Sequence, residues 1–271
     1  MSGNVADFSG DIPRHYDRDL GPIIFADYAA DMARRAVSGA APARVLETAA
    51  GTGIVSRALR DALPATAHLT ATDLNPAMLE IARAKFASHE QVSLQPADAT
   101  ALPFADGAFD TVVCQFGIMF FPDKQLGLRE AHRVLAARGR ALFSVWDAHR
   151  HNAFGQIVHD VVSGFFPVDP PRFYEVPFGY SQIDPIKDAL LAVGFGRIDV
   201  TILPKQRMVE DFSAFAHGLI FGNPIYDQIR QRGGVEPAEV QAAVGTAMRQ
   251  KAGGEPGKIM IQAIVFEAHK A

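Results

Sequence analysis

The sequence predicts an α/β fold: a mostly parallel sheet with helices packed on both faces. Three observations predict it. Strands and helices alternate as far as Asp147, the strands are continuous apolar runs, and a glycine turn joins the first strand to its helix. Parallel strands are buried on both faces and so lack a polar side. A turn stripped of side chains lets a ligand approach the backbone.

The elements follow in order. Phe25, Tyr28, Met32 and Ala36 recur at helical spacing, which predicts a helix over 22–37. "ARVLETA" is a short run rich in branched residues, a buried strand, and "IVSRALRDAL" is a helix stopped at Pro64. "AHLTATD" is the second strand. "NPAMLEIARAKFA" is a helix with Asn75 as cap and Pro76 in its first turn. "VSLQPAD" and "FDTVVCQFG" are the third and fourth strands, the latter entered through Asp106-Gly107. "DKQLGLREAHRVLAARG" predicts a helix from an Asp123 cap to Gly139, with His132 on a solvated face, and "RALFSVWD" is the fifth strand. After Asp147 the rhythm changes. A stretch rich in proline and aromatics precedes a helix and a sixth strand in "PIKDALLAVGFGRIDVTIL". Residues 205–256 read as mostly helical, and "KIMIQAIVFEAHK" is the last strand. The expected organisation is one domain over 1–271: an N-terminal helical segment (1–40), a core (41–148), and insertions at 149–182 and 205–256.

Composition narrows the partners. With 271 residues and 48 % hydrophobic content, one α/β domain with a large core is supported. A net charge of -4 argues against a nucleic-acid partner, and "RQRGG" at Arg230–Gly234 is a turn after a helix. The single cysteine, Cys114, allows neither an internal disulfide nor a cysteine zinc site, and reads as a small core residue. No metal is expected. The N-terminus has early acids and lacks the apolar stretch of a signal peptide, and the longest apolar run, near Val112–Phe121, is short for a bilayer. The expectation is a cytoplasmic protein acting on a small molecule, with no nucleic acid and no membrane span. Its oligomeric state, a homodimer included, stays open.

The informative stretch is "RVLETAAGTGIVSR", Arg44–Arg57. Glu47 ends the first strand, and Ala49, Gly51 and Gly53 remove bulk from the turn. The helix from Ile54 presents its N-terminus, which favours an anionic group. A phosphate would be repelled by Glu47, whereas a ligand with both carboxylate and ammonium satisfies both features. S-adenosylmethionine is such a ligand. Asp73 ends the second strand 20 residues after Gly53, where a carboxylate commonly takes ribose hydroxyls. Asp98 ends the third strand in "QPADA", placed to accept from an adenine amine. Each acid alone could be a cap or a turn former; three at successive strand ends are hard to explain that way.

On these residues the chain resembles the class I S-adenosylmethionine-dependent methyltransferases, in particular the ubiquinone and menaquinone biosynthesis branch. "VLETAAGTG", "ATDLNPAMLEIAR", "QPADATALPFADGAFDTVVCQFGIMFFPD", "REAHRVLAARGRALFSVWD" and "LLAVGFGRIDV" carry the resemblance, specifically over about 44–147. One departure is Ala49, where the family often has glycine. The resemblance implies a Rossmann-like seven-stranded sheet of order 3-2-1-4-5-7-6 with an antiparallel last hairpin, and helical and loop insertions forming a substrate lid. It also implies roles. Glu47, Ala49, Gly51, Thr52 and Gly53 would surround the methionine part. Asp73 would hold the ribose, with Leu74 and Met78 near the adenine. Asp98 and Ala99 would address the adenine edge, and Gln115 and Phe116 would sit between cofactor and substrate.

Methyl transfer to an oxygen or carbon acid calls for a base, and the sequence does not name one. His149 and His151 follow the fifth strand on the correct side of the sheet. His159 lies on the next helix, and His15 and Tyr16 lie in the segment that folds over the cofactor in this family. For each histidine the alternative is an ordinary surface or capping residue. The aromatics between Phe154 and Tyr226 supply the insertions' own cores and some of a substrate cavity, which points to a quinol, phenol or polyketide-like acceptor. Two rivals remain. One is an NAD(P)-dependent oxidoreductase, suggested by "GTGIVS" but lacking the third glycine; the other is a cofactor-binding module without transfer activity.

Overall fold

The computed structural model describes residues 8–271; residues 1–7 of the expected N-terminal segment lie outside them. From Ile12 the described chain runs as one long helix. α1 (Ile12–His15) runs without a break through ten residues of π-helix, Tyr16–Phe25, into α2 (Ala26–Ala36). The sequence predicts a start at Pro22, because proline lacks an N–H and its ring crowds the carbonyl four residues back. The π-helix removes that conflict by shifting each bond one residue further, as in Ala26 N–H to Gly21 O.

The core follows the predicted rhythm: β1 (Arg44–Thr48), α3 (Ile54–Ala62), β2 (His68–Asp73), α4 (Pro76–Arg83), β3 (Val92–Pro96), β4 (Phe109–Gln115), α5 (Lys124–Val134) and β5 (Leu135–Trp146). α5 stops five residues short of the expected Gly139. Leu135 already pairs with Phe109 of β4, and Lys270 Nζ donates to the carbonyls of His132 and Leu135 (2.7 Å each), satisfying the helix end. His132 is not on a solvated face; it packs edge-on against Phe195.

α6 (Ala153–Phe165), α7 (Glu175–Gly179) and α8 (Ile183–Ala192) precede β6 (Phe195–Val209). α9 (Phe212–Phe221), α10 (Ile225–Arg232) and α11 (Pro237–Ala252) precede β7 (Gly257–Lys270). β6 therefore takes the first five residues of the expected 205–256 insertion. These residues pair with β7 as far as Val209–Gly257. Their exposure alternates, as in an edge strand with one wet face, and their polar run Lys205–Arg207 escapes an apolar-run criterion.

The sheet order is β3-β2-β1-β4-β5-β7-β6, with β7 antiparallel to both neighbours. Successive strand residues feed opposite cores. Leu46 and Val112 join the aromatic-rich cluster under the insertions, while Val45 and Val113 join the cluster beneath α2 and α3. Three bonds extend the ladder past the strand ends: Ala50 N–H to Thr72 O, Ala97 N–H to Asp73 O, and Phe116 N–H to Ser144 O (2.9–3.0 Å). They hold the strand tips in one rim, and the site lies along that rim.

Candidate cofactor and acceptor site

Beyond the rim are three hollows that share walls. A notch of ≈ 320 Å³ lies at the end of β1, lined by Glu47, Ala49–Thr52, Ile54, Val55 and Gln115. A cleft of ≈ 1090 Å³, open mouth included, follows Asp73–Asn75, Met78, Ala97–Ala99 and Phe120–Pro122. A third, mainly apolar cavity of ≈ 450 Å³, open mouth included, lies under the insertions, lined chiefly by aromatic rings. Tyr16 and Phe116 line all three.

Glu47 is 1 % exposed. Ser56 Oγ donates to its carboxylate at 2.5 Å. Burial pushes its pKa up to about 8; the Ser56 bond opposes the rise and the nearby Asp73 charge adds to it. A buried acid held this way is poised to meet a cation. Thr52 Oγ1 and Gln115 Oε1 are buried in the same notch without a hydrogen-bond partner among the described residues. The first helical bond of α3 runs from Arg57 N–H to Gly53 O, so the amides of Ile54 and Val55 ahead of it lack an intrahelical acceptor. One small space thus offers an acid for an ammonium, and a hydroxyl with helix-start amides for a carboxylate. The amino-acid end of S-adenosylmethionine fits that donor set.

Asp73 does more than face the cleft. Gly51 N–H donates to its Oδ2 and Asn75 N–H to its Oδ1, each at 2.8 Å, so the carboxylate fastens the glycine turn to the tip of β2. Burial raises its pKa, and these amide donors pull it back. Gly51 has φ +56°, and a Cβ there would meet nothing within 4 Å, because it would project into open space. Asp98 is exposed and accepts from both the amide and hydroxyl of Thr100 (2.8 and 2.7 Å), while still lining the cleft. Leu74 is 52 % exposed at the cleft mouth, and Met78 is buried in its wall.

Of the twelve residues that the resemblance assigns to the cofactor, eleven line notch or cleft. Gly53 stands behind them, where a Cβ would lie 2.8 Å from Ala82 Cβ, and so serves helix packing. Tyr16 stacks on Phe25 (4.8 Å between centroids), and its hydroxyl has no partner among the described residues. Burial, with Asp73 and Asp17 nearby, raises its pKa, so the phenol keeps its proton. His149 and His151 are elsewhere. His149 bonds the Tyr174 carbonyl through Nε2 (3.1 Å) and packs on Phe178; its pKa is lowered, chiefly by burial. His151 is exposed and accepts from Arg150 Nε. Neither lines a hollow, and no other histidine lines these three. Cys114 is buried, its thiol pushed up to about 11 by burial.

Sequence reasoning passed over Phe120–Pro122, Gly117, Phe25 and Trp146. "GIMFFPD" follows the fourth strand directly, and that position was the available signal. Among the described residues, His15, Asp19 and His217 are close enough to share a metal ion. Arg18 donates to both Asp19 oxygens (2.6 and 2.8 Å), however, and His217 Nδ1 lies 2.8 Å from one of them. The carboxylate is thus already engaged by Arg18 and His217, and these contacts account for the group without an ion.

Residues 45–139 match the family described as "Methyltransferase domain". A ubiquinone/menaquinone biosynthesis C-methyltransferase UbiE from Geotalea daltonii is 30 % identical over 164 residues, covering 56 % of this chain and 70 % of that protein. A demethylmenaquinone methyltransferase from Thermus thermophilus is 41 % identical over 128 residues, covering 46 % and 58 %. The chain spans about half the length of the first curated relatives it matches. Haemonchus contortus phosphoethanolamine N-methyltransferase 2, solved with S-adenosyl-L-methionine, superposes with TM-score 0.62 at 15 % identity, covering 98 % of this chain and 58 % of that one. The [4+2]-cyclase SpnF superposes with TM-score 0.55 at 18 % identity, covering 90 % and 81 %. These structural likenesses concern the fold.

The chain belongs to the class I S-adenosylmethionine-dependent methyltransferases. Within them, the curated relatives named above are enzymes of quinone biosynthesis. No helix among the described residues is long and apolar enough to cross a membrane.

Proposed function

We propose that this protein transfers a methyl group from S-adenosylmethionine to a small aromatic acceptor, a quinol, phenol or polyketide-like ring, held in the apolar cavity. The observation that carries this reading is the shared wall. Phe8, Tyr16, Phe116 and Phe120 line both the cofactor cleft and the cavity, so a ligand in one abuts a ligand in the other. Quinone-directed relatives support the acceptor class.

When bound, S-adenosylmethionine supplies an electrophilic methyl group that already carries its leaving group. The chain's part is binding, alignment and exclusion of water. Glu47 holds the ammonium. Thr52 and the first amides of α3 hold the carboxylate. Asp73 and Asp98 address the nucleoside, with Leu74 and Met78 as its apolar bed and Ala99 at its edge. Gln115 and Phe116 stand between the two ligands. Aligning the nucleophile in this way is worth several kcal/mol. Tyr16 keeps its proton, and its hydroxyl has no partner among the described residues, so it serves as a donor that orients an acceptor oxygen rather than as a base. With no histidine or lysine lining the cavity, an acceptor that is itself acidic, such as a phenol or quinol, suits the site.

A second reading, a cofactor-binding protein without transfer activity, draws on the same absence of a dedicated base. Incubation with methyl-labelled cofactor and a panel of reduced quinols and phenols separates the two. Label in at least one acceptor supports transfer. Tight cofactor binding with no label in any acceptor overturns it, and binding of NADH instead of the adenosyl cofactor overturns both.

A further inference from the structure

The apolar cavity holds one polar group that packing alone does not explain. Asn223 follows α9, is 7 % exposed and lines the cavity but not the cleft. Its neighbours fix which way the amide points. Nδ2 lies 3.2 Å from the Leu219 carbonyl, 3.4 Å from the Gly218 carbonyl and 3.3 Å from the Tyr174 hydroxyl. The Tyr174 hydroxyl donates its own proton to Leu219 O at 2.8 Å, so toward Asn223 it can only accept. Three acceptors surround one end of the amide, and that end must be the NH₂. The other end, Oδ1, accepts no hydrogen bond from the described residues. Among the described residues it is therefore an unfilled acceptor, on a residue that lines a mainly aromatic cavity.

An unfilled acceptor at such a site selects for a donor. A ligand that supplies an O–H or N–H there gains a hydrogen bond, and one that lacks it leaves Oδ1 desolvated and unpaired. We infer that Asn223 is a specificity determinant of the acceptor cavity: it accepts a hydrogen bond from a hydroxyl, or equivalent donor, on an apolar aromatic ring. The bond falls on the part of the ring system outside the cofactor cleft. This rests on the proposed use of the cavity as the acceptor site. Asn223 takes no part in the displacement itself; it sets which rings enter and how they are turned.

Three single-ring probes test this, each titrated calorimetrically into the full chain saturated with S-adenosylhomocysteine. They are p-cresol, its methyl ether, which has lost the donor, and toluene. Trp146, the one tryptophan, lines the cavity and gives a fluorescence readout of occupancy. The expected result is that p-cresol binds about tenfold more tightly than the methyl ether. In Asn223→Leu, p-cresol binding weakens about tenfold, while toluene binding stays within about twofold and the cofactor product still binds. Equal affinity of the wild-type protein for p-cresol and its ether overturns the inference without any variant having to fold. Parallel weakening of toluene and p-cresol in Asn223→Leu also overturns it, because that would mark a purely structural residue. Failure of all three probes to bind the wild-type protein removes the cavity as acceptor site, and the role of Asn223 with it.

Discussion

The polar cleft and the apolar cavity meet along Tyr16 and Phe116, yet they are built in opposite ways. The cleft is made of strand tips. Glu47, Asp73, Asp98 and Gln115 each sit at or just beyond the end of a parallel strand, and ladder bonds lock the tips in register. The cavity is made by packing. Its walls come from the N-terminal helix, the turn after β4, Trp146 at the end of β5, α6, α7 and α9. Polar function here depends on backbone position, which local sequence dictates. Apolar shape depends on how distant segments settle against one another.

Removing a fastener on the polar side should show the contrast most strongly. Asp73→Ala frees the amides of Gly51 and Asn75 and deletes a carboxylate from the cleft. Affinity for S-adenosylhomocysteine should fall by about 3 kcal/mol in a calorimetric titration, with toluene binding in the cavity unchanged. Unchanged cofactor affinity would take Asp73 out of the site and end the division between the two regions.

The shared wall is the next place to press. Ala49 and Phe116 both adopt left-handed backbone (φ 51° and 54°), an uncommon state for residues other than glycine. They come together at Gly117, where a Cβ would lie 2.4 Å from Ala49 Cβ and 2.9 Å from Cys114 Sγ. Gly117→Ala should therefore destabilise the protein by about 2 kcal/mol in a urea melt. Adding Ala49→Gly removes the nearer obstacle and should restore part of that loss. If the two changes are additive, the contact is not what limits the wall.

Protonation sharpens the comparison, because only the polar side holds an acid with a strongly raised pKa. Glu47 rises from an ordinary 4.5 to about 8 in the folded protein. Between those values the folded state binds a proton that the unfolded state has lost. Stability of the ligand-free protein should then fall as pH rises from about 5 to 8, by up to about 1.4 kcal/mol per pH unit. Glu47→Gln should flatten that slope. Cofactor binding favours the carboxylate, so near pH 6.5 it should release about one proton, read from calorimetry in buffers of different ionisation enthalpy. An uptake of protons, or none, would place the ammonium elsewhere.

The smallest effect tests the boundary of the site. His149→Ala and His151→Ala should each leave cofactor affinity within about 0.5 kcal/mol, as expected for side chains away from the hollows. A large loss from His151→Ala would mean that the insertions rearrange when ligands bind.

Much was legible in advance because its causes are local. Continuous apolar runs mark strands buried on both faces, and the sheet order matches the one implied by the resemblance. The acids at strand ends, with the glycines between them, marked the notch and cleft, since a strand's last residue points where its sheet directs it. What local pattern could not convey was the work of partners. Pro22 stays inside a helix because a π-turn accommodates it, and Lys205–Val209 is a strand because β7 pairs with it. His149 and His151 follow the fifth strand on the expected side, yet the Tyr174 carbonyl and Arg150 hold them away from the ligand space.

The sequence by itself determined the sheet, its polar rim and the residues that line the notch and cleft, because a strand's direction and a turn's conformation are set within a few residues. Only the tertiary structure decided the cavity, the seat of Tyr16 across all three hollows and the orientation of the Asn223 amide. Those depend on side chains far apart in the chain, and close packing fixes such positions only when every neighbour is in place.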